Sequence, residues 1–179
     1  MTRIEQLASA NDAEIRALLD AAFGPDRHGR TAYRIRIGMA WLTDLSFAAY
    51  GESGDLLGTL QCWPVALHRP DGTQAPLIMV GPVAVAPAAQ HRGIGRALMD
   101  RLVETVDIHP HEPLMMIGDP DYYGRFWRFS ADQTAGWSAP GPVERHRLLA
   151  RAGVDVALPV TGMLGPRDLA AREGMRTQG

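Results

Sequence analysis

Gln90-His91-Arg92-Gly93-Ile94-Gly95-Arg96-Ala97 is the stretch whose reading decides the fold. It follows a valine-rich run, Val80 to Val85, and opens a segment with helical periodicity. Two glycines at the mouth of a helix let the backbone turn tightly and approach a ligand closely. The first N–H groups of a helix have no intrahelical partner, and the helix dipole favours negative charge beside them. Strand, glycine turn and helix together make a phosphate cradle. Arg92 and Arg96 add fixed positive charge and forked donors.

Composition sets the wider frame. The chain has 179 residues, 46% hydrophobic and 21% charged, which reads as one soluble domain with a sizeable core. Its formal charge of −2 weighs against a general polyanion binder, nucleic acid included. The 18 basic residues are all arginine. A single cysteine, Cys62, forbids an internal disulfide. The N-terminus lacks an apolar signal core, and no run approaches the ~20 apolar residues of a membrane span. The expectation is a cytoplasmic protein.

The chain alternates strand and helix signals around the glycine turn. Thr2 to Ala8 reads as a strand. Asn11 with Glu14 marks a helix start, Ile15, Leu18, Leu19 and Phe23 recur at helical spacing, and Gly24-Pro25 ends that helix. A short helix is expected near Thr31 to Ile37, then strands over Leu45 to Tyr50, Leu56 to Leu67 and Leu77 to Val85. Pro64 marks a bulge or edge, and Gly81-Pro82 breaks the ladder of the third of these strands. Ile94, Leu98, Leu102 and Val106 share one helix face. Leu114 to Ile117 reads as a strand, Asp119-Pro120 as the cap of a helix through Phe126, Gly136 to Pro142 as a loop, and 147–158 as a late strand or pair of strands.

Two common phosphate cradles fail on particular residues. A dinucleotide fingerprint needs a small third residue where Leu98 stands, and a P-loop needs a lysine. A third pattern fits. Val83-Ala84-Val85-Ala86-Pro87 followed by Gln90-x-x-Gly93-x-Gly95 resembles the coenzyme A pyrophosphate loop of the GCN5-related N-acetyltransferase family. Ile117-Gly118-Asp119-Pro120-Asp121-Tyr122-Tyr123 resembles that family's late strand and tyrosine-bearing helix, and the likeness is greatest to its YhbS-like branch.

The resemblance implies an α/β (α+β) acyl-CoA N-acyltransferase fold. In it a mixed, mostly antiparallel sheet is flanked by helices, and two central strands splay near a bulge. Residues 1–165 would form the one domain and 166–179 a polar tail. It implies acetyl-CoA as co-substrate, no metal, and transfer of the acetyl group to a primary amine of a small-molecule or peptidyl acceptor. No membrane partner is implied, and a homodimer is compatible with the reading. Val83, Ala84 and Val85 would pair with pantetheine, with the Val85 N–H on the thioester carbonyl. Gln90, His91, Arg92, Gly93, Ile94, Gly95, Arg96 and Ala97 would hold the pyrophosphate. Tyr123, with Tyr122 as runner-up, would protonate the leaving thiolate, unless both are packing residues. The family closes this helix with glycine and phenylalanine, whereas Phe126 is followed here by Trp127-Arg128-Phe129.

Two matters stay open in the sequence. No carboxylate marks a general base, so a non-catalytic acyl-CoA-binding module of the same fold is the alternative. His28 and the arginines from Arg27 onward fall in the segment that contributes to the family's acceptor cleft, or else form a solvated face. Elsewhere, His109, His111 and Glu112 read as a solvated turn, not a metal site, and Cys62 as a packing residue.

Overall fold

The computed structural model describes residues 1–170. Twelve regular elements follow in order. They are β1 (Arg3–Gln6), α1 (Asp12–Phe23), α2 (Thr31–Ile35), β2 (Phe47–Tyr50), β3 (Leu56–His68) and β4 (Gln74–Val85). Then come α3 (Ile94–Ile108), β5 (Leu114–Ile117), α4 (Pro120–Trp127), β6 (Gly136–Ser138), β7 (Leu148–Arg151) and β8 (Thr161–Pro166). The strands form one sheet in the order β1-β2-β3-β4-β5-β7, with β8 joining β3 and carrying β6. Pairing is antiparallel except at β4–β5 and β6–β8.

Local signals account for the helices. The Asn11 side chain accepts the Ala13 N–H at 2.8 Å and starts α1. Its apolar stripe of Ile15, Leu18 and Leu19 packs against Ala48, Tyr50 and Ala84 on one sheet face. Leu98, Met99, Leu102 and Val106 of α3 pack on the other face, against Leu60, Cys62 and Leu114. Alternation along β5 sends Met116 into that layer and Met115 into a third cluster with Ile35, Leu77 and Trp137.

The proline readings resolve into two features. Pro64 lies in the ladder opposite Ile78, where β3 has left β2 and has not yet met β8. The bulge is on β4. Leu60 faces Val83 and Cys62 faces Val80, so the extra residue falls at Gly81-Pro82. That peptide bond is cis, and Gly81 takes φ 126°, a value suited to glycine.

Two expectations differ from the structure, and one strand was not expected. The Gly136–Pro142 segment, read as a loop, begins with β6. The late strand spans only Leu148–Arg151, and β8 carried no sequence expectation. Both β6 and β8 are short strands stabilised by partners far away in the chain, so local pattern did not mark them. Most of the expected polar tail 166–179, namely 171–179, lies outside the described residues; in its described part Arg167 is buried and donates to Val65 O and Leu77 O.

Candidate active site

The site follows from how β4 and β5 part. They pair only at Ile78–Leu114 and Met79–Met115, and beyond Met79 the β5 side of β4 has no strand partner among the described residues. Ala86 donates its N–H to Leu57 O at 2.8 Å, toward β3. Strand alternation therefore turns the N–H and C=O groups of Val83 and Val85 toward the open side. A cleft of about 850 Å³ lies there, bounded by Met79 to Val83, by Met116 and Ile117, and by Tyr123. Val85 is outside that lining and sits beside Gly95 at the mouth of α3.

The glycine turn is built as a cradle. Gly93 caps α3 in the left-handed region at φ 76°, and His91 shares that conformation at φ 64°. Gln90, His91, Arg92 and Arg96 are exposed, while Ile94 points into the core against Gly58. Ile94 thus offers only its backbone to a ligand. The two glycines differ. Gly93 needs its positive φ, whereas a β-carbon at Gly95 would meet Val85 Cγ2 at an ordinary 3.6 Å. The Arg96 guanidinium stacks 4.3 Å from the centroid of Phe126, tying the cradle to α4.

Asp119 caps α4, accepting the Asp121 N–H at 2.9 Å, with Pro120 in the first turn. The two tyrosines part company here. Tyr123 lines the cleft and packs on Gly118, which has no side chain to displace it. Tyr122 is 39% exposed and stacks edge-on against Tyr123, Phe126 and Trp127. Burial raises the Tyr123 phenol above its ordinary pKa, with Tyr122 and Asp119 adding to the rise and Arg147 opposing it. The phenol is therefore a proton holder throughout the neutral range.

Trp127 does not leave the helix without its turn. Arg128 takes the left-handed conformation at φ 60°, donating to Gly124 O, and the Phe129 N–H reaches Tyr123 O at 3.2 Å. The Trp127 ring is buried, with Nε1 on Asp100 of α3 at 2.8 Å. Arg151 holds the same helix end through Trp127 O and pairs with Asp107. The left-handed turn that ends α4 is thus made by an arginine, next to a buried indole.

The segment from Arg27 onward forms the opposite wall. Arg27 and Arg36 are buried, while His28, Arg30 and Arg34 are exposed. Loop 139–144 closes on α2 through Thr31 Oγ1 to Pro142 O at 2.7 Å. Arg36 Cζ lies over the rings of Tyr33 and Trp63, 4.1 and 3.9 Å from their centroids. Glu144 is the one carboxylate among the described residues lining the cleft. The sequence did not single out Tyr33 or Glu144, because only tertiary packing brings them to the cleft, and it offered Arg36 only as one of the arginines from Arg27 onward. No group of three His, Cys, Asp or Glu side chains fit to hold a metal is found among the described residues. Glu112 instead accepts from Arg167 Nη1 at 3.1 Å. None of the helices among the described residues is long and apolar enough to cross a membrane.

A mixed sheet opened between its two central strands, with a glycine-capped helix at the end of one, defines an acyl-CoA N-acyltransferase fold. The acetyltransferase (GNAT) domain family matches residues 3–126, and the chain belongs to that family of acyltransferases. Among solved structures it is similar to the GNAT family N-acetyltransferase YhbS from Escherichia coli in complex with CoA. That likeness has 22% identity and a TM-score of 0.69, over 100% of this chain and 93% of the other. It is also similar to a GNAT family acetyltransferase from Brucella melitensis in complex with acetyl-CoA. There the identity is 26% and the TM-score 0.62, over 90% and 93%. Among curated protein sequences nothing matches.

Proposed function

We propose that the protein binds acetyl-CoA and transfers its acetyl group to a primary amine by direct attack in a ternary complex, in the cytoplasm. The pyrophosphate lies on the N–H groups of residues 91–96, with Arg92 and Arg96 supplying charge. Pantetheine runs back along the open edge of β4, pairing with Val85 and then Val83. The pairing partner nearest Tyr123 is Val83, since it lines the cleft and Val85 does not. The Val83 N–H, and not that of Val85, is then the donor on the thioester carbonyl, where charge develops in the transition state.

The observation that carries this reading is the convergence of three features on one cleft. These are the edge of β4 that has no strand partner among the described residues, its bulge, and the half-buried phenol of Tyr123. The amine nitrogen attacks the thioester carbon, the C–S bond breaks, and the sulfur takes the Tyr123 proton. The amine's own proton leaves to water at the cleft mouth, where Glu144 offers a carboxylate, and a proton from that water returns to the Tyr123 phenolate. Burial serves the tyrosine by keeping it protonated until the thiolate forms.

Thiol release from acetyl-CoA in the presence of an amine panel tests the reading. Amine-dependent release is expected. A melting-temperature rise with acetyl-CoA but not with ATP or NAD should accompany it, worth about 2.7 kcal/mol at 100 times Kd. Stabilisation with no amine-dependent release would make the protein a non-catalytic acyl-CoA-binding module. Equal stabilisation by ATP would refute the pyrophosphate site.

A further inference from the structure

The wall of the cleft facing Tyr123 carries charge that acetyl transfer does not use. Five arginines line the cleft, Arg27, Arg30, Arg34, Arg36 and Arg147, against the single carboxylate of Glu144. Arg27 pairs with Asp20, and Arg30 and Arg34 donate to the backbone carbonyls of Phe23 and Pro140. Arg36 is different. It is 5% exposed, and its guanidinium carbon lies over the rings of both Tyr33 and Trp63. No carboxylate among the described residues forms an ion pair with it.

Burial and repulsion from Arg27 bring its pKa down to about 10, and the nearby Tyr33 phenol only partly offsets them. The Tyr33 hydroxyl acts on Arg36 through proximity, its geometry falling short of a hydrogen bond. Three buried donors of this wall are left without an acceptor: Arg36 Nη1, Arg27 Nε and Tyr33 Oη. Buried charge is costly unless paired, and an unpaired donor retains its full desolvation cost. With the guanidinium carbon held against two rings and Nη1 without an acceptor, what Arg36 has left to offer a ligand is forked N–H donation, which suits an oxyanion.

We infer that Arg36, with Tyr33 and Arg27, holds an oxyanion of the acceptor, so that the substrate is a small amine also bearing a carboxylate or a phosphate. The amine half of this inference rests on the acetyl-transfer reading; the anion site does not. Distance makes the two groups parts of one small molecule. Trp63, on which Arg36 stacks, donates Nε1 to Gly81 O at 2.8 Å, so one indole separates the anion site from the bulge of β4. Arg30, Arg34 and Arg147 at the rim supply the field that draws an anionic substrate in.

Paired substrates test this on the whole protein. Glycine, β-alanine and 4-aminobutanoate are each compared with their amides, and phosphoethanolamine with ethanolamine, by thiol release from acetyl-CoA. At least one anionic member is expected to exceed its neutral partner tenfold or more in kcat/KM, chiefly through KM, and the pair concerned identifies carboxylate or phosphate. The preference should collapse in Arg36→Gln and shrink in Tyr33→Phe, which keeps the ring stack. Equal or faster turnover of every neutral member would overturn the inference, as would a preference that survives Arg36→Gln in folded protein. A binding arm needs no turnover. N-acetylglycine or phosphoethanolamine should raise the melting temperature of wild type and not of Arg36→Gln, while N-acetylglycinamide and ethanolamine should not. A shift of this kind without any amine turnover would leave the anion site standing and sink acetyl transfer. Absence of both shift and preference would remove the anion site.

Discussion

Replacing Gly118 by alanine moves the reactive phenol without touching it. A β-carbon at residue 118 would stand 2.7 Å from Cε2 and 2.8 Å from Cδ2 of Tyr123, where ordinary contact begins near 3.4 Å. The ring must therefore retreat by about 0.7 Å, since the backbone of Gly118 is fixed by its N–H bond to Arg147 O. A misplacement of about 1 Å costs on the order of a hundredfold in rate, so Gly118→Ala should lower kcat roughly 10- to 100-fold. Overpacking should also cost about 1–3 kcal/mol of stability, so the assay is run well below the melting transition. Thiol release with the best acceptor gives kcat, and titration with acetyl-CoA gives affinity, which should stay near the wild-type value. The double variant Gly118→Ala/Tyr123→Phe supplies the control. If the hydroxyl carries the effect, the double variant is no slower than Tyr123→Phe alone. Wild-type kcat in folded Gly118→Ala, or fully additive losses in the double variant, would refute the positioning argument.

Other consequences follow from particular residues. Gly93→Ala should cost about 1–2 kcal/mol through its left-handed φ and weaken acetyl-CoA binding. Gly95→Ala, free of both strain and clash, should leave stability equal or raise it by up to about 1 kcal/mol, as paired melting curves would read. Arg128→Gly relieves the left-handed arginine that ends α4 and should stabilise by about 1 kcal/mol in denaturant titration. Burial raises the Cys62 thiol well above its ordinary pKa, so the folded state keeps a proton that the unfolded chain releases. Stability should therefore fall by up to about 1.4 kcal/mol per pH unit once pH exceeds the unfolded thiol value, and Cys62→Ala should remove that slope in urea titrations between pH 9 and 10.5.

Features decided within a few residues were legible in the sequence. Asn11 at the start of α1, the glycine turn into α3 and Asp119-Pro120 before α4 carry their own caps and turns, and each stands where its residues indicate. The bulge at Gly81-Pro82 was legible for the same reason, since proline cannot donate to the ladder. What escaped depends on partners distant in the chain. β8 pairs with β3 across about a hundred residues, and Thr161 to Pro166 has no strong alternation of its own. Arg36, among the arginines from Arg27 onward, could be read either as part of the acceptor cleft or as part of a solvated face. Only the folded chain brings Trp63 of β3 against it and turns a surface charge into a buried one. The helix end at Trp127 was visible as a departure, but its solution, a left-handed Arg128 with the indole on Asp100, required the packing of α3 against α4.

The role of Tyr123 is tested most directly by comparing kcat for wild type and Tyr123→Phe, with acetyl-CoA affinity measured alongside. A proton donor contributes roughly 10² to 10⁴ in rate. A loss in that range is expected in kcat for amine-dependent thiol release, with acetyl-CoA affinity essentially unchanged. Equal kcat in the two proteins would contradict it.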